Sequence, residues 1–285
     1  MKRLAAVIGA VILTAAMATT WSSASAAAPE DVVGVWELDE PAGTQVLLDS
    51  GPQGLHGTIG SSVQRGATVA GAGAHVFSTV DPDRSPVDLG RLDVVAHDAR
   101  MDPGAGDFAV TVRLLTTAPQ GNVVQKGQAS STGGYFKVDM DDGRVACLFT
   151  GDVGTLHVRS SARIDTGRWT EVRCHRSATA LSLYVDGVLV HRRTGVAGAV
   201  ANTWPLTIAG KSSCNQFTVG CDYYSGAIDR VTLTRNGAVV APPPPPSTST
   251  TAAPSTSAAP PPTTSAPTTT ATPTTTAPVS SAVVK

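Results

Sequence analysis

Leu181-Ser182-Leu183-Tyr184-Val185-Asp186-Gly187-Val188-Leu189-Val190 is the stretch that decides the fold of this chain. Apolar residues recur at a period of two on both sides of Asp186-Gly187, as strands with one covered face require. An Asp-Gly pair between such runs suits a type I′ turn, whose two central residues both need positive φ. The stretch predicts a β-hairpin. Upstream the pattern repeats: Phe108, Val110, Val112 and Leu114 alternate, then Phe136, Val138 and Met140. Asp141-Asp142-Gly143 then turns the chain into a return run of Val145, Cys147 and Phe149. No segment of this region carries a 3.6-residue apolar period, and Gly and Pro punctuate it throughout. An all-β sandwich of two antiparallel sheets is expected.

The flanks read differently. Lys2 and Arg3 precede an uncharged, mostly apolar run from Leu4 to Ala18, and Ala24-Ser25-Ala26 forms an A-x-A cleavage signal. The apolar run is about 15 residues, short of the roughly 20 that span a bilayer, so residues 1–26 read as a signal peptide. The exported chain is expected to start at Ala27, with no membrane insertion once the signal is removed. Residues 242–285 are nearly all Pro, Thr, Ser and Ala, beginning with Pro242 to Pro246. Such a composition cannot offset the entropy of ordering, so a disordered, extended tail is expected, a stalk or spacer suited to O-glycosylation. Between the flanks, Pro29 to Ala241 offers about 210 residues, one large all-β domain or two small ones.

A net charge of -1 argues against nucleic acid or an anionic membrane as an electrostatic partner. Two basic clusters, Arg173, His175 and Arg176 and then His191, Arg192 and Arg193, alternate with apolar positions and read as solvated strand faces. The four cysteines are Cys147, Cys174, Cys214 and Cys221. An even number in an exported chain favours disulfides, and neither C-x-x-C nor H-x-x-x-H spacing makes a zinc site. Three connectivities are open; the short Cys214–Cys221 loop is the obvious local bridge, leaving Cys147–Cys174. Cys147 and Cys174 also share the apolar phase of their strands, so both can point inward.

Further motifs accumulate along the whole region. They are Gly34-Val35-Trp36-Glu37-Leu38-Asp39-Glu40, Asp49-Ser50-Gly51, Gly54-Leu55-His56-Gly57 and Val124-Gln125-Lys126-Gly127. After them come Gly167-Arg168-Trp169, the Leu181–Gly187 hairpin, Leu206-Thr207-Ile208-Ala209-Gly210 and Gly226-Ala227-Ile228-Asp229-Arg230-Val231. In order and spacing this series resembles the laminin-G-like domains of the concanavalin A-like lectin/glucanase superfamily. The resemblance implies a single jelly roll over residues 29–241, with one concave sheet. Val80 to Pro103 is longer and more polar than that pattern, and the Cys214–Cys221 loop looks like an addition. Trp36 and Trp169 read as core aromatics at strand starts.

Several motifs fail on context. Gly210-Lys211-Ser212 lacks the upstream glycine of a P-loop, since Pro205 stands there, and no helix follows. Gly104-Ala105-Gly106-Asp107-Phe108-Ala109 leads into a strand, where a dinucleotide fingerprint must open a helix. Asp139, Asp141 and Asp142 hint at a calcium loop, but Thr150 occupies the position that needs Glu. The superfamily includes glycoside hydrolases, which need two carboxyl groups about 5–5.5 Å apart for a retaining reaction. Their Glu-x-Asp-x-x-Glu strand is absent, and Glu171 is the only glutamate after Glu40.

Function follows from the resemblance, since a fold alone does not fix it. The leading expectation is a secreted, non-catalytic module binding extracellular or cell-wall carbohydrate. A structural or adhesive surface protein with protein partners is a second reading, and a divergent glycoside hydrolase a third. Ligand contact is expected at Asn215, Gln216, Asp222, Tyr223 and Tyr224, which gather the amide, carboxylate and aromatic groups that sugars engage. The alternative is that Tyr223 and Tyr224 simply lead into the last strand. The resemblance also implies a calcium ion, with Asp49 and Asp229 as candidate ligands. Against it, Asp49 can cap its own turn and Asp229 can pair with an arginine.

Overall fold

The computed structural model describes residues 31–78, 88–129, 131–213 and 222–236. Contacts divide the chain into Met1–Pro242 and Pro243–Lys285, and every described residue lies in the first unit. The expected signal peptide and the expected disordered tail lie outside the described residues. The strands begin with β1 (Asp31–Trp36), β2 (Val46–Leu47), β3 (Gly57–Ile59), β4 (Gln64–Val69) and β5 (Ala72–Phe77). Next come β6 (Asp93–Val95), β7 (Phe108–Leu115), β8 (Gly121–Lys126), β9 (Tyr135–Asp141), β10 (Arg144–Thr150) and β11 (Thr155–Arg159). The last are β12 (Thr170–Ser177), β13 (Ala180–Val185), β14 (Val188–Thr194), β15 (Leu206–Ile208) and β16 (Gly226–Arg235).

They form two antiparallel sheets. The first runs β14-β13-β12-β7-β16-β5-β4, with β1 also paired to β16, and the second runs β11-β10-β9-β8-β15-β6-β3-β2. Both expected Asp-Gly hairpins are present: Asp142 and Gly143 have φ of 50° and 71°, Asp186 and Gly187 48° and 75°. The period-two phase puts Val110, Val112 and Leu114 of β7 and Val172 and Cys174 of β12 into the core. Val145, Cys147 and Phe149 of β10 meet them from the second sheet. There the Cys147–Cys174 disulfide, with Cα atoms 5.8 Å apart, ties one sheet to the other. Cys214 and Cys221 lie outside the described residues.

Three local expectations are corrected. The stretch Val80 to Pro103 is more than an insert, because it supplies β6, which pairs with β3 and β15 inside the second sheet. Trp36 is a core residue whose Nε1 donates to Leu55 O (2.9 Å), but Trp169 is only partly buried. The Trp169 indole donates to Val69 O (3.0 Å) and is covered by the Arg113 guanidinium, 4.7 Å from the ring centroid. Arg176 is not solvated: it lies on the inward phase, 1% exposed, and donates to the carbonyls of Pro103, Gly104, Gly106 and Gly198. The carbonyls satisfy its terminal Nη1 and Nη2 groups without water, while Nε has no hydrogen-bond partner among the described residues. The second cluster does follow expectation, since His191, Arg192 and Arg193 are exposed.

Two buried polar networks cross the sandwich. His75 of β5 lies between Asp93 Oδ2 of β6, 2.7 Å from Nδ1, and Glu40 Oε2, 2.9 Å from Nε2. The first contact is a well-formed hydrogen bond, while the second is close but poorly aligned for one. Burial opposes the imidazolium, yet the two carboxylates outweigh it and raise the His75 pKa to about 9. Burial likewise pushes Glu40 up, but His75 and the Leu48 N–H prevail and leave it lowered. For Asp93 burial dominates, and its pKa is raised. The second network surrounds Lys126, whose Nζ reaches Asp102 Oδ1 (2.5 Å), Asn202 O (2.8 Å) and Asn202 Oδ1 (3.2 Å). Burial depresses its pKa, partly offset by Asp102.

Candidate functional site

The segment expected to carry ligand contact enters the described residues at Asp222; Asn215 and Gln216 lie outside them. From Asp222 the chain runs across the start of β8. Asn122 N donates to Asp222 O (2.7 Å), Asn122 and Tyr223 form a parallel bridge, and Tyr224 N donates to Ala209 O (3.1 Å). Gly121 makes this approach possible: at φ 137°, a Cβ there would lie 2.7 Å from Tyr223 O and from Tyr224 Cα.

The two tyrosines are placed by their hydroxyls. Tyr224 is buried in the core, edge-on to Phe77, with its hydroxyl 3.0 Å from Leu115 O and 3.2 Å from Ala227 O. Burial raises its pKa. Tyr223 packs on Leu92 and Val94, and its hydroxyl accepts from Asp88 N (2.7 Å). Burial raises its pKa too. Stacking of a sugar on either ring is corrected: the rings lead the chain into β16, and their faces are covered.

Asp222 takes another path. With Gln120, Gly121, Asn122, Asp139, Met140 and Asp141 it lines a polar hollow of about 170 Å³. Pairing of β8 with β9 builds the floor, since Gly121 lies opposite Met140 and Asn122 opposite Asp139. Each lining carboxylate has its own cation: Asp139 with Lys137 (2.5 Å), Asp141 with Arg159 (3.2 Å), and Asp222 with Lys211. Burial alone would depress the Lys137 pKa, but the Asp139 charge outweighs it and raises it. Asn122 Nδ2 lies 3.4 Å from Asp222 Oδ2, and Asp139 Oδ1 is shut off from solvent without a hydrogen-bond partner. The hollow thus offers the exposed Gln120 amide beside carboxylates whose charge is already balanced, while Asn122, 1% exposed, braces Asp222. Sequence reasoning found Asp222 and missed Asn122, Gln120 and the Asp139 role, since only strand pairing brings them together.

A larger hollow of about 400 Å³ lies beside β1, lined by Asp31, Val32, Val33, Gln53, Ala99, Arg100 and Arg235. Its arginines are tied to the protein: Arg235 to the carbonyls of Ala99, Arg100 and Asp102, Arg100 to Asp98 and Gln53. It presents few polar groups for recognition. The Glu40–His75–Asp93 network is sealed from solvent, so no substrate can reach it for proton transfer.

The calcium ligands do not fit a cation. Asp49 Oδ1 accepts from Val35 N and Gly51 N (both 2.8 Å), and Oδ2 accepts from Leu55 N (2.7 Å). Three N–H groups aimed at one carboxylate satisfy it as an anion and point their positive ends where a metal would sit. Asp229 is paired with Arg113. Among the described residues no group of three or more His, Cys, Asp or Glu is arranged to hold a metal ion.

Among the described residues no helix is long and apolar enough to cross a membrane. No curated protein matches the sequence. Among solved structures, the chain is similar to the binding domain of Paraclostridial Mosquitocidal Protein 1, at 11% identity and TM-score 0.55 over 73% of this chain and 50% of that one. It is also similar to the receptor binding domain of botulinum neurotoxin D, at 12% identity and TM-score 0.53 over 73% and 50%. The chain therefore spans about half the length of these two toxin domains. Domain 4 of AbnA, a GH43 extracellular arabinanase from Geobacillus stearothermophilus solved in complex with arabinotriose, is matched over 95% of its length. It covers 74% of this chain at 14% identity and TM-score 0.50. At such identities the likeness is one of fold; the two toxin domains are binding domains, and the arabinanase domain was solved with arabinotriose. A laminin G-like domain with a disulfide is typical of extracellular proteins. The laminin G-like family model, described as the Concanavalin A-like lectin/glucanases superfamily, matches residues 92–236, just over half of the chain. By that match and by its two-sheet sandwich, the chain belongs to the concanavalin A-like lectin/glucanases superfamily.

Proposed function

We propose that this domain is a secreted, non-catalytic binding module for extracellular or cell-wall carbohydrate. Its contact site is the hollow between Gln120, Asn122, Asp139, Asp141 and Asp222. The observation that carries the reading is the chemistry of that hollow, the exposed Gln120 amide and charge-balanced carboxylates in about 170 Å³. Sugar hydroxyls exchange hydrogen bonds with these groups as both donors and acceptors. The volume is below the roughly 300 Å³ of a drug-sized pocket, which suits one ring of a glycan rather than a long stretch. The arabinanase domain supports the reading by analogy of fold, its structure holding arabinotriose. Secretion rests on Lys2-Arg3, the apolar run and Ala24-Ser25-Ala26, and the buried disulfide accords with an oxidising compartment.

Pull-down on insoluble polysaccharides followed by calorimetry with soluble oligosaccharides tests it. The wild-type protein should bind at least one glycan. Gln120→Ala and Asp141→Asn should each weaken that binding by about tenfold, about 1.4 kcal/mol. No binding across the panel, or unchanged affinity in both folded variants, rejects the reading.

A further inference from the structure

Among the described residues, strand β14 closes the first sheet and pairs only with β13. All seven of its residues are exposed, and three are large and apolar: Val188 at 63%, Leu189 at 47% and Val190 at 39%. Beyond its ladder with β13, no backbone hydrogen bond among the described residues involves Val188–Thr194. Its outer side is therefore a row of unpaired N–H and C=O groups, a template for another strand.

The charge on this edge has one sign. Arg192 and Arg193 make no ion pair among the described residues, and the chain has no Asp or Glu between Asp186 and Asp222. His191 sits beside them, its Nδ1 2.9 Å from Arg159 O on the edge of the second sheet. We propose that the β14 edge docks an extended, acidic segment of a partner polypeptide, added to the first sheet as one more strand. Backbone groups supply the pairing, Val188 to Val190 cover apolar side chains, and Arg192 and Arg193 select carboxylates.

The same features argue against a second copy as the occupant. Antiparallel pairing of β14 with itself about His191 would bring the two copies of Arg192 to about 8 Å, one Debye length at physiological salt, with the Arg193 charges beside them. The register shift opposite Leu183/Tyr184 also bends the strand away from flat stacking. Charges and a bulge blunt self-association; against an acidic strand the charges become attractive.

The test is fluorescence anisotropy of the full chain with a labelled eight-residue peptide alternating Glu and Val, beside a Lys/Val counterpart. The Glu/Val peptide should bind saturably and at least tenfold tighter than the Lys/Val peptide. Binding should fall at least tenfold in Arg192→Glu/Arg193→Glu, whose thermal melt should match wild type because both positions are exposed. Amide exchange across Val188–Thr194 should slow when the peptide is added. The proposal is overturned by equal binding of the two peptides, by absence of saturable binding, or by an unaltered double variant. Two other results also overturn it: tighter binding of heparin than of the peptide, and dimerisation abolished by the double variant. Gln120→Ala should leave peptide binding unchanged, which separates this edge from the carbohydrate hollow.

Discussion

Stability should fall as the solution is made alkaline, and His75 sets the window. Its pKa is 6.5 in an unfolded chain and about 9 in the folded one. At about 1.4 kcal/mol per unit, that gap is worth about 3 kcal/mol. The folded state holds the proton more tightly, so the stabilisation is fully present below pH 6.5 and is lost as pH rises through about 9. Despite burial, His75 and the Leu48 N–H hold Glu40 below its ordinary value, while burial holds Asp93 above its own. Urea unfolding followed by tryptophan fluorescence from pH 6 to pH 10 measures the effect, with Trp36 as a buried reporter. In wild type, the free energy of unfolding should decline by about 3 kcal/mol across that range. His75→Gln keeps a hydrogen-bonding side chain without the proton; it should be less stable at pH 6 and nearly flat above it. A wild-type profile flat to within about 1 kcal/mol, or a decline that persists in His75→Gln, would refute the reasoning.

Removing the inter-sheet disulfide by Cys147→Ala/Cys174→Ala opens a loop with a sequence separation of 27. It should cost about 3.6 kcal/mol in the chain-entropy model, read as a lower midpoint in urea. Asp49→Ala leaves three backbone N–H groups without their acceptor and should cost about 3 kcal/mol or more by the same assay. Calcium added to chelator-treated wild type should leave the melting temperature unchanged, because neither Asp49 nor Asp229 has a free carboxylate; a rise of several degrees would contradict this.

The strands were legible wherever the turn between them demanded a particular residue. Asp142-Gly143 and Asp186-Gly187 announce positive φ at both positions. The β4–β5 hairpin uses the same geometry at Ala70 (φ 45°) and Gly71 (φ 85°), but alanine carries no such signal. Arg176 shows a conflict between two local rules. Strand phase placed it inward and charge placed it outward, and a cage of carbonyls from the loop before β7 settles the matter. At the candidate site, Asp222 stood out by composition, whereas its partner Asn122 is 100 residues away in sequence. Only the Asn122–Tyr223 bridge and the close approach at Gly121 join them. For Tyr223 and Tyr224, residue type alone does not tell a covered ring from an offered one.

The pairing of β1 with β16 brings the domain's two ends together: Asp31 lies opposite Arg235, and Asn236 Nδ2 donates to Asp31 Oδ2 (2.9 Å). A pulling force applied through residues 31 and 236 therefore enters this ladder at a single end. It peels the pairs one after another toward Trp36 opposite Val231, instead of loading all of them in shear. The peel stops at Trp36, whose ring is buried and whose Nε1 is bonded to Leu55 O. Under tension the domain should yield first by a short, low-force extension of β1. A second, larger event then follows when the indole leaves the core, and the unfolding rate of that anchored state sets how long the domain survives load.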